Sequence, residues 1–132
     1  MRTLITLMVV AVVGTVLPLA AQTKITIPPP AAPRVTFVEL GSVKCVPCRR
    51  MQPVMKAVED KYGDQIKVVF IDVWQEENRK EARKYRVRLI PTQVFLDERG
   101  KEILRHEGYF PEEDIDEFLQ SRGLTPRPVR ED

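Results

Sequence analysis

The segment Cys45-Val46-Pro47-Cys48 contains both cysteines of the 132-residue chain. An apolar run at residues 35–40 precedes it, and apolar side chains at helical spacing follow it at Met51, Val54, Met55, Val58 and Tyr62. This pattern predicts a buried strand that gives way to a helix, with Cys45 at or just before the first helical turn.

A cysteine at a helix start is expected to be reactive. The first N–H groups of a helix lack internal partners, and the helix dipole places partial positive charge there. Such a field favours the thiolate, which is the nucleophilic form of cysteine. Lys44, Arg49 and Arg50 add positive charge close by. We therefore predict that Cys45 is the exposed, reactive thiol and that Cys48 is buried.

A pair of cysteines two residues apart also occurs in zinc sites and as a structural staple. A closed zinc site needs four ligands, and this chain offers two cysteines and the single histidine His106. A disulfide that closes so short a loop removes little chain entropy and therefore stabilises a fold only modestly. Both interpretations are disfavoured, and we predict no metal site.

Composition limits the function classes further. Once both ends are set aside, about one hundred residues remain, which is enough for one domain with one core. The net charge is +2, and both signs are mixed along the chain. No basic stripe with interleaved aromatic residues appears, so the sequence gives no indication of nucleic-acid binding.

The N-terminal residues predict export. Residues 3–23 carry no charge and follow Met1-Arg2, a pattern typical of a secretory signal over residues 1–21. The apolar run is also long enough to cross a bilayer as a retained N-terminal anchor. Either interpretation places the domain outside the cytoplasm, in the periplasm or on the outer side of the inner membrane, where disulfide chemistry is normal. Residues 22–34 are rich in proline and predict an extended spacer.

The rest of the chain predicts an α/β domain over residues 35–123. Predicted strands cover residues 35–40, 67–73, 92–96 and 101–106, and predicted helices cover 48–62, 76–85 and 111–123. The order β-α-β-α-β-β-α indicates a central mixed sheet, with parallel pairing and a closing antiparallel hairpin. The second strand is almost continuously apolar, which predicts burial on both faces. Residues 124–132 predict a disordered tail.

These motifs, in this order, resemble the thioredoxin family over residues 35–119. The segment Cys45-Val46-Pro47-Cys48 resembles the active site of the family, and Pro53 falls where the family kinks its active helix. Pro91 stands where the family has a cis-proline, and Glu39 stands where it keeps a buried acid. The resemblance therefore implies a short version of the thioredoxin-like fold.

The sequence departs from thioredoxin itself in three respects. Lys44 replaces the usual tryptophan before the first cysteine, and Val46 replaces the usual glycine between the cysteines. The proline-rich spacer cannot supply thioredoxin's additional N-terminal strand and helix. The chain is thus more similar to the exported, periplasmic or membrane-tethered thioredoxin-like proteins.

The resemblance implies a thiol–disulfide oxidoreductase that needs no cofactor. The Cys45 thiolate attacks a substrate disulfide, and Cys48 then resolves the mixed disulfide. Glu39, if buried, has a raised pKa and shuttles the proton of Cys48; the alternative is a strand-end glutamate that reaches solvent. The expected substrate-binding residues are Val46, Pro47, Ile90 and Pro91, with backbone near the cis-proline pairing with the substrate like an added strand.

Two classes of function remain open at this stage. The first is an enzyme that acts on disulfides or dithiols of exported proteins, with reduction as the expected direction and a membrane or periplasmic thiol reductase as its electron donor. The second is a binding module of the same fold that docks a partner or delivers a metal such as copper without turnover. A copper carrier is expected to have a pair of histidines or methionines beside the cysteines, and His106 is isolated.

Overall fold

The structure is a computed structural model that describes residues 32–128. In this part of the chain, strands and helices follow one another in the order β-α-β-α-β-β-α. In chain order the elements are β1 (Val35–Gly41), α1 (Val46–Tyr62), β2 (Ile66–Asp72), α2 (Arg79–Lys84), β3 (Thr92–Asp97), β4 (Glu102–Glu107) and α3 (Glu112–Ser121). The predicted signal or anchor, most of the spacer and the last four residues lie outside the described residues. No helix within residues 32–128 is both long and apolar enough to cross a membrane.

The predicted order of elements and the mixed sheet are confirmed. The strands lie in the order β2-β1-β3-β4. β1 runs parallel to β2 and antiparallel to β3, and β3 pairs antiparallel with β4. The two cysteines therefore follow a central strand, whose carboxyl end leads directly into α1.

The two faces of the sheet have separate apolar cores. Phe37 on β1 stacks on Phe95 of β3 with ring centroids 4.6 Å apart, and both pack against α1 and α3. Val38 and Leu40 point to the opposite face with Val94. Because side chains alternate along a strand, Glu39 lies on the same face as Phe37, underneath α1.

The second strand is covered on both faces, as predicted, but it is less fully buried than the prediction implies. β2 pairs with β1 alone among the described strands and lies at an edge of the sheet. Residues 68–72 are accordingly only half-buried. The apolar run still contacts both cores, since Val68 and Phe70 pack on one face and Val69 and Ile71 on the other. An apolar run indicates covered faces, but it does not show how many strands lie alongside.

The structure differs from the predicted disordered tail at residues 124–128. Leu124 is buried and belongs to the core under α1. The Gln65 side chain donates to the Thr125 carbonyl at 2.8 Å and accepts from the Thr125 N–H at 3.0 Å. The Arg127 N–H donates to the Lys61 carbonyl at 2.7 Å. This segment is polar in sequence, but its backbone groups are paired with the end of α1.

Leu124→Ala tests whether this segment contributes to stability. Removal of a buried leucine side chain typically costs roughly 2–4 kcal/mol, because apolar contacts are lost and a cavity remains. We expect a loss of that size in urea unfolding. Thr125→Ala, which removes an exposed side chain and keeps the backbone bonds, is the matched control. Equal stability of Leu124→Ala and the wild type would show that the tail is disordered in solution.

Candidate active site

Cys45 and Cys48 lie at the first turn of α1 and form a disulfide. Cys45 is the N-cap, and its Sγ accepts the N–H of Cys48 at 3.4 Å. Pro47 lies in the first turn, where the missing N–H of proline costs no helical bond. Cys45 is partly exposed, whereas Cys48 is fully buried. The structure thus presents the first sulfur to a partner and encloses the second.

The charge around this helix start favours a thiolate. The first turn of α1 contains no acidic residue. Lys44, Arg49 and Arg50 are exposed, and none of them forms an ion pair with another described residue. The Arg50 guanidinium lies 4.5 Å from the centre of the Tyr109 ring. Helix dipole and nearby cations both lower the free energy of a negative sulfur relative to the neutral thiol.

Asp72 orders the loop between β1 and the cysteines. Its Oδ2 accepts the Val43 N–H at 3.3 Å and the Ser42 hydroxyl at 3.4 Å. Its Oδ1 accepts the Trp74 N–H at 3.0 Å. Asp72 was not among the predicted site residues, since Ser42 and Val43 lie about thirty residues earlier in the chain and only the pairing of β1 with β2 brings them to it.

Gly41 allows β1 to approach the buried sulfur. A Cβ at this position would lie 3.1 Å from Cys48 Cβ and 3.2 Å from Cys48 Sγ, and 3.3 Å from a ring carbon of Phe70. The Gly41 carbonyl also accepts the Val73 N–H at 2.9 Å. The sequence prediction missed this glycine, although its place between β1 and the cysteines was a usable signal for close backbone approach.

Gly41→Ala should disturb both the fold and the reactivity of Cys48. The added methyl group is crowded on two sides, and insertion into a packed region typically costs about 1–3 kcal/mol. We expect that loss in urea unfolding. We also expect faster alkylation of Cys48 in the reduced protein, because the methyl group pushes the end of β1 away from α1. Gly100→Ala is the control. Its φ of +76° also makes the substitution strained, but no atom lies within 4 Å of the added methyl group. If both variants leave Cys48 equally protected, the contact with Gly41 does not shield it.

Glu39 is completely buried beneath α1. The interpretation as a strand-end glutamate that reaches solvent is therefore wrong. Its Oε2 accepts a hydrogen bond from Gln93 Nε2 at 2.9 Å. Burial raises the pKa of Glu39 to about 8, and the hydrogen bond from Gln93 lowers it in part. Glu39 and Gly41 share a face of β1 about 7 Å apart, and Gly41 lies against Cys48, so the carboxyl and the buried sulfur are on the same side of the sheet.

Pro91 lies at the same end of the sheet as the cysteine loop. β3 begins at Thr92, which pairs with Leu40 near the end of β1. The Ile90–Pro91 bond is cis, and Pro91 is buried while Ile90 is half-buried. The Gly108 N–H donates to the Pro91 carbonyl at 2.8 Å. The predicted substrate-binding residues are thus divided between the start of α1 and the start of β3.

Exposed apolar side chains surround this end of the sheet. The large ones among the described residues are Val43, Val46, Trp74, Leu89 and Tyr109. Trp74, Leu89 and Ile90 help to line a groove of about 310 Å³. Trp74 directly follows Val73, whose N–H is bonded to Gly41. The sequence prediction placed Val46 and Ile90 at the site, but it favoured core or surface packing for Trp74 and gave Leu89 no role there, because exposure of an apolar residue cannot be deduced from its type.

The arrangement fits thiol–disulfide exchange better than metal binding. It combines a partly exposed sulfur at a cationic helix start, a second sulfur buried beneath it, and a buried carboxyl of raised pKa. Within residues 32–128, no three His, Cys, Asp or Glu side chains are grouped so that they could hold a metal ion.

Comparisons with known proteins agree with this chemistry. A family model described as a thioredoxin-like domain matches residues 22–123. The chain is 36% identical over 85 residues to thioredoxin from Bacillus subtilis, a match that covers 64% of this chain and 79% of that protein. It is 32% identical over 75 residues to thioredoxin from Listeria monocytogenes, with 57% and 70% covered. A solved mutant thioredoxin from Halobacterium salinarum has a TM-score of 0.60 at 25% identity, over 74% of this chain and 79% of that one. The chain therefore belongs to the thioredoxin-like domain family, and its Cys45–Cys48 pair makes it a thiol–disulfide oxidoreductase.

Proposed function

We propose that this thiol–disulfide oxidoreductase reduces disulfides in exported proteins. The observation that carries the proposal is the difference in exposure between the cysteines, with Cys45 partly exposed at a cationic helix start and Cys48 buried behind it. A nucleophilic thiol has to be accessible to the substrate, whereas a resolving thiol has to reach only the first sulfur. The Glu39 carboxyl nearby supplies a group that holds the proton of the second thiol.

The reaction begins with the reduced enzyme. The Cys45 thiolate attacks one sulfur of the substrate disulfide, a mixed disulfide forms, and the other substrate sulfur leaves as a thiolate. Cys48 then gives its proton to the Glu39 carboxylate and attacks Cys45 Sγ. The Cys45–Cys48 bond forms, the bond to the substrate breaks, and the second substrate thiolate leaves. Two electrons pass from the enzyme dithiol to the substrate disulfide, and the proton on Glu39 is available to the departing thiolate.

The substrate is held beside the Cys45–Cys48 pair. Exposed Val46 and Pro47 provide apolar contact at the helix start, and the groove beside Trp74 and Leu89 accepts a neighbouring side chain. The backbone near Ile90 and Pro91 lies at the end of the sheet that faces this segment, which supports pairing with an extended substrate chain. The polypeptide around a substrate disulfide is therefore the proposed ligand.

The reducing direction is supported by the relatives. The proteins matched above are thioredoxins, and the thioredoxin couple, at about −270 mV, is strongly reducing. We expect equilibration with glutathione to give the Cys45–Cys48 couple a potential close to that value, and we expect the reduced protein to reduce insulin catalytically. A potential of about −120 mV would instead indicate an oxidant. Stoichiometric binding of a partner without turnover would support a binding module.

Export is supported by the uncharged residues 3–23 that follow Arg2. In that setting the oxidised enzyme needs a donor outside the cytoplasm, and a membrane or periplasmic thiol reductase is the proposed partner. A reporter without its own signal, fused after residue 34, should be found outside the cytoplasm. Salt-resistant membrane association with Met1 retained would select the anchor, and a cytoplasmic reporter would contradict export.

A further inference from the structure

Glu39 and Gln93 form an isolated polar pair inside an apolar core. They are direct partners across β1 and β3, and neither side chain has any exposed surface. One hydrogen bond joins them, from Gln93 Nε2 to Glu39 Oε2 at 2.9 Å. Within the described part of the chain, Glu39 Oε1 and Gln93 Oε1 are buried without a hydrogen-bond partner.

The chemistry of the two groups is complementary in either protonation state. A carboxylate only accepts hydrogen bonds, whereas a carboxylic acid also donates one through its O–H. A glutamine side chain offers two N–H donors and one carbonyl acceptor. The observed orientation, with Gln93 donating, suits the carboxylate. Rotation of the amide by about 180° brings its oxygen to the carboxyl and makes it an acceptor for the acid proton, since this terminal torsion is roughly two-fold.

The other groups that face Glu39 leave this role to Gln93. On β2 its direct partner is Phe70, which cannot exchange a proton. From α1, Cys48 lies against Gly41, which is on the same face of β1 as Glu39.

Charged groups on the neighbouring elements have other partners or are exposed. Asp72, two residues beyond Phe70, accepts hydrogen bonds from the cysteine loop. His106 pairs with Gln93 across β3 and β4, but its Nε2 lies 3.1 Å from the Tyr109 carbonyl and its ring stacks on Phe110. On α1, Arg49 and Arg50 are exposed.

We propose that Gln93 is a positioning residue for the proton on Glu39, donating to the carboxylate and, after its amide turns over, accepting from the carboxylic acid. This inference deepens the proposed function, because it gives the proton acceptor for Cys48 a partner on both sides of the transfer. Without such a partner, either the ionised or the neutral carboxyl would be buried with an unmet hydrogen bond, at a cost to that state.

The wild-type protein permits a direct test by NMR. The ¹⁵N and ¹H signals of the Gln93 side-chain amide should titrate with the same midpoint as the carboxyl ¹³C of Glu39, in the reduced and the oxidised protein alike. In Glu39→Gln the Gln93 signals should lose that titration. Amide signals that do not change while Glu39 titrates would overturn the proposal.

The second test removes the amide. Gln93→Met has a similar length without the polar pair, and Gln93→Leu replaces it if the methionine variant does not fold. The Glu39 midpoint should rise by about one pH unit, because the hydrogen bond that the carboxylate loses is charge-assisted and stronger than the neutral one that the acid loses. In infrared spectra the protonated C=O band should move to higher frequency, as for an acid without a partner. An unchanged midpoint and band would sink the proposal.

Two controls separate positioning from damage to the fold. Val94→Ala lies on the same strand but in the opposite core, so it should lower stability and leave the Glu39 midpoint unchanged. An equal shift in this variant would contradict a specific role for Gln93. If Glu39→Gln exchanges disulfides at the wild-type rate, the proposed proton transfer from Cys48 is wrong. The infrared band then still decides whether Gln93 follows the protonation of Glu39.

Discussion

Replacement of Cys45 by serine should reduce disulfide exchange to the background rate, whereas replacement of Cys48 should stop the reaction half-way. Cys45 is the partly exposed sulfur at the start of α1, so without it no mixed disulfide forms. A serine hydroxyl at this position is not ionised, and we expect a loss of on the order of a thousandfold or more. Cys48→Ser keeps the attacking thiolate and lacks the resolving one, so it should accumulate mixed disulfides with substrates.

Mass spectrometry distinguishes the two roles. Iodoacetamide at neutral pH should label Cys45 of the reduced wild type before Cys48, and Cys48→Ser should trap substrate protein that Cys45→Ser does not. The double variant is the control for non-specific capture. Preferential labelling of Cys48, or capture by Cys45→Ser, would reverse the assigned roles.

The features that could be predicted from the sequence are those that depend on neighbours along the chain. The Cys45–Cys48 spacing, the apolar run before it and the helical spacing after it together indicate a strand, a cysteine pair and a helix in that order. The order of elements then follows from the same local patterns. This is why the mixed α/β fold and the position of Cys45 at the helix start were predictable before any coordinates.

The features that were missed depend on contacts between elements that come together only in the folded protein. Gln93 is only a polar residue in an apolar strand until the register of β1 and β3 places it opposite Glu39. Gly41 gains its role from the approach of α1, and Asp72 from the pairing of β1 with β2. Leu124 is a single apolar residue in a polar tail, and its burial depends on the space left at the end of α1.

Glu39→Gln should stabilise the folded protein at alkaline pH. Burial raises the pKa of Glu39 from 4.5 to about 8. Between these values the folded state retains a proton that the unfolded chain has released, so wild-type stability falls as pH rises through this window and levels off above it. A difference of about 3.5 pH units corresponds to at most roughly 5 kcal/mol at 1.36 kcal/mol per unit. Glutamine does not ionise and therefore does not contribute this loss.

Urea unfolding from pH 4 to pH 9, at constant ionic strength, measures the effect. The free energy of unfolding of Glu39→Gln, relative to that of the wild type, should increase by several kcal/mol across this range. Val94→Ala should lower stability by a similar amount at every pH, since no ionisable group is changed. Parallel curves for Glu39→Gln and the wild type would show that Glu39 is not buried in solution as described.

The same variant should be a poorer catalyst. At pH 8, where about half of the wild-type Glu39 is ionised, the resolving step of the variant should be slower by roughly a hundredfold, the lower end of the usual range for general base catalysis, because no carboxylate takes the Cys48 proton. Rapid mixing should show the mixed disulfide persisting, while the first attack by Cys45 keeps its rate. A buried acid that lowers stability and speeds resolution is retained at the expense of the fold. A variant that is both more stable and equally fast would leave the burial of Glu39 without a chemical reason.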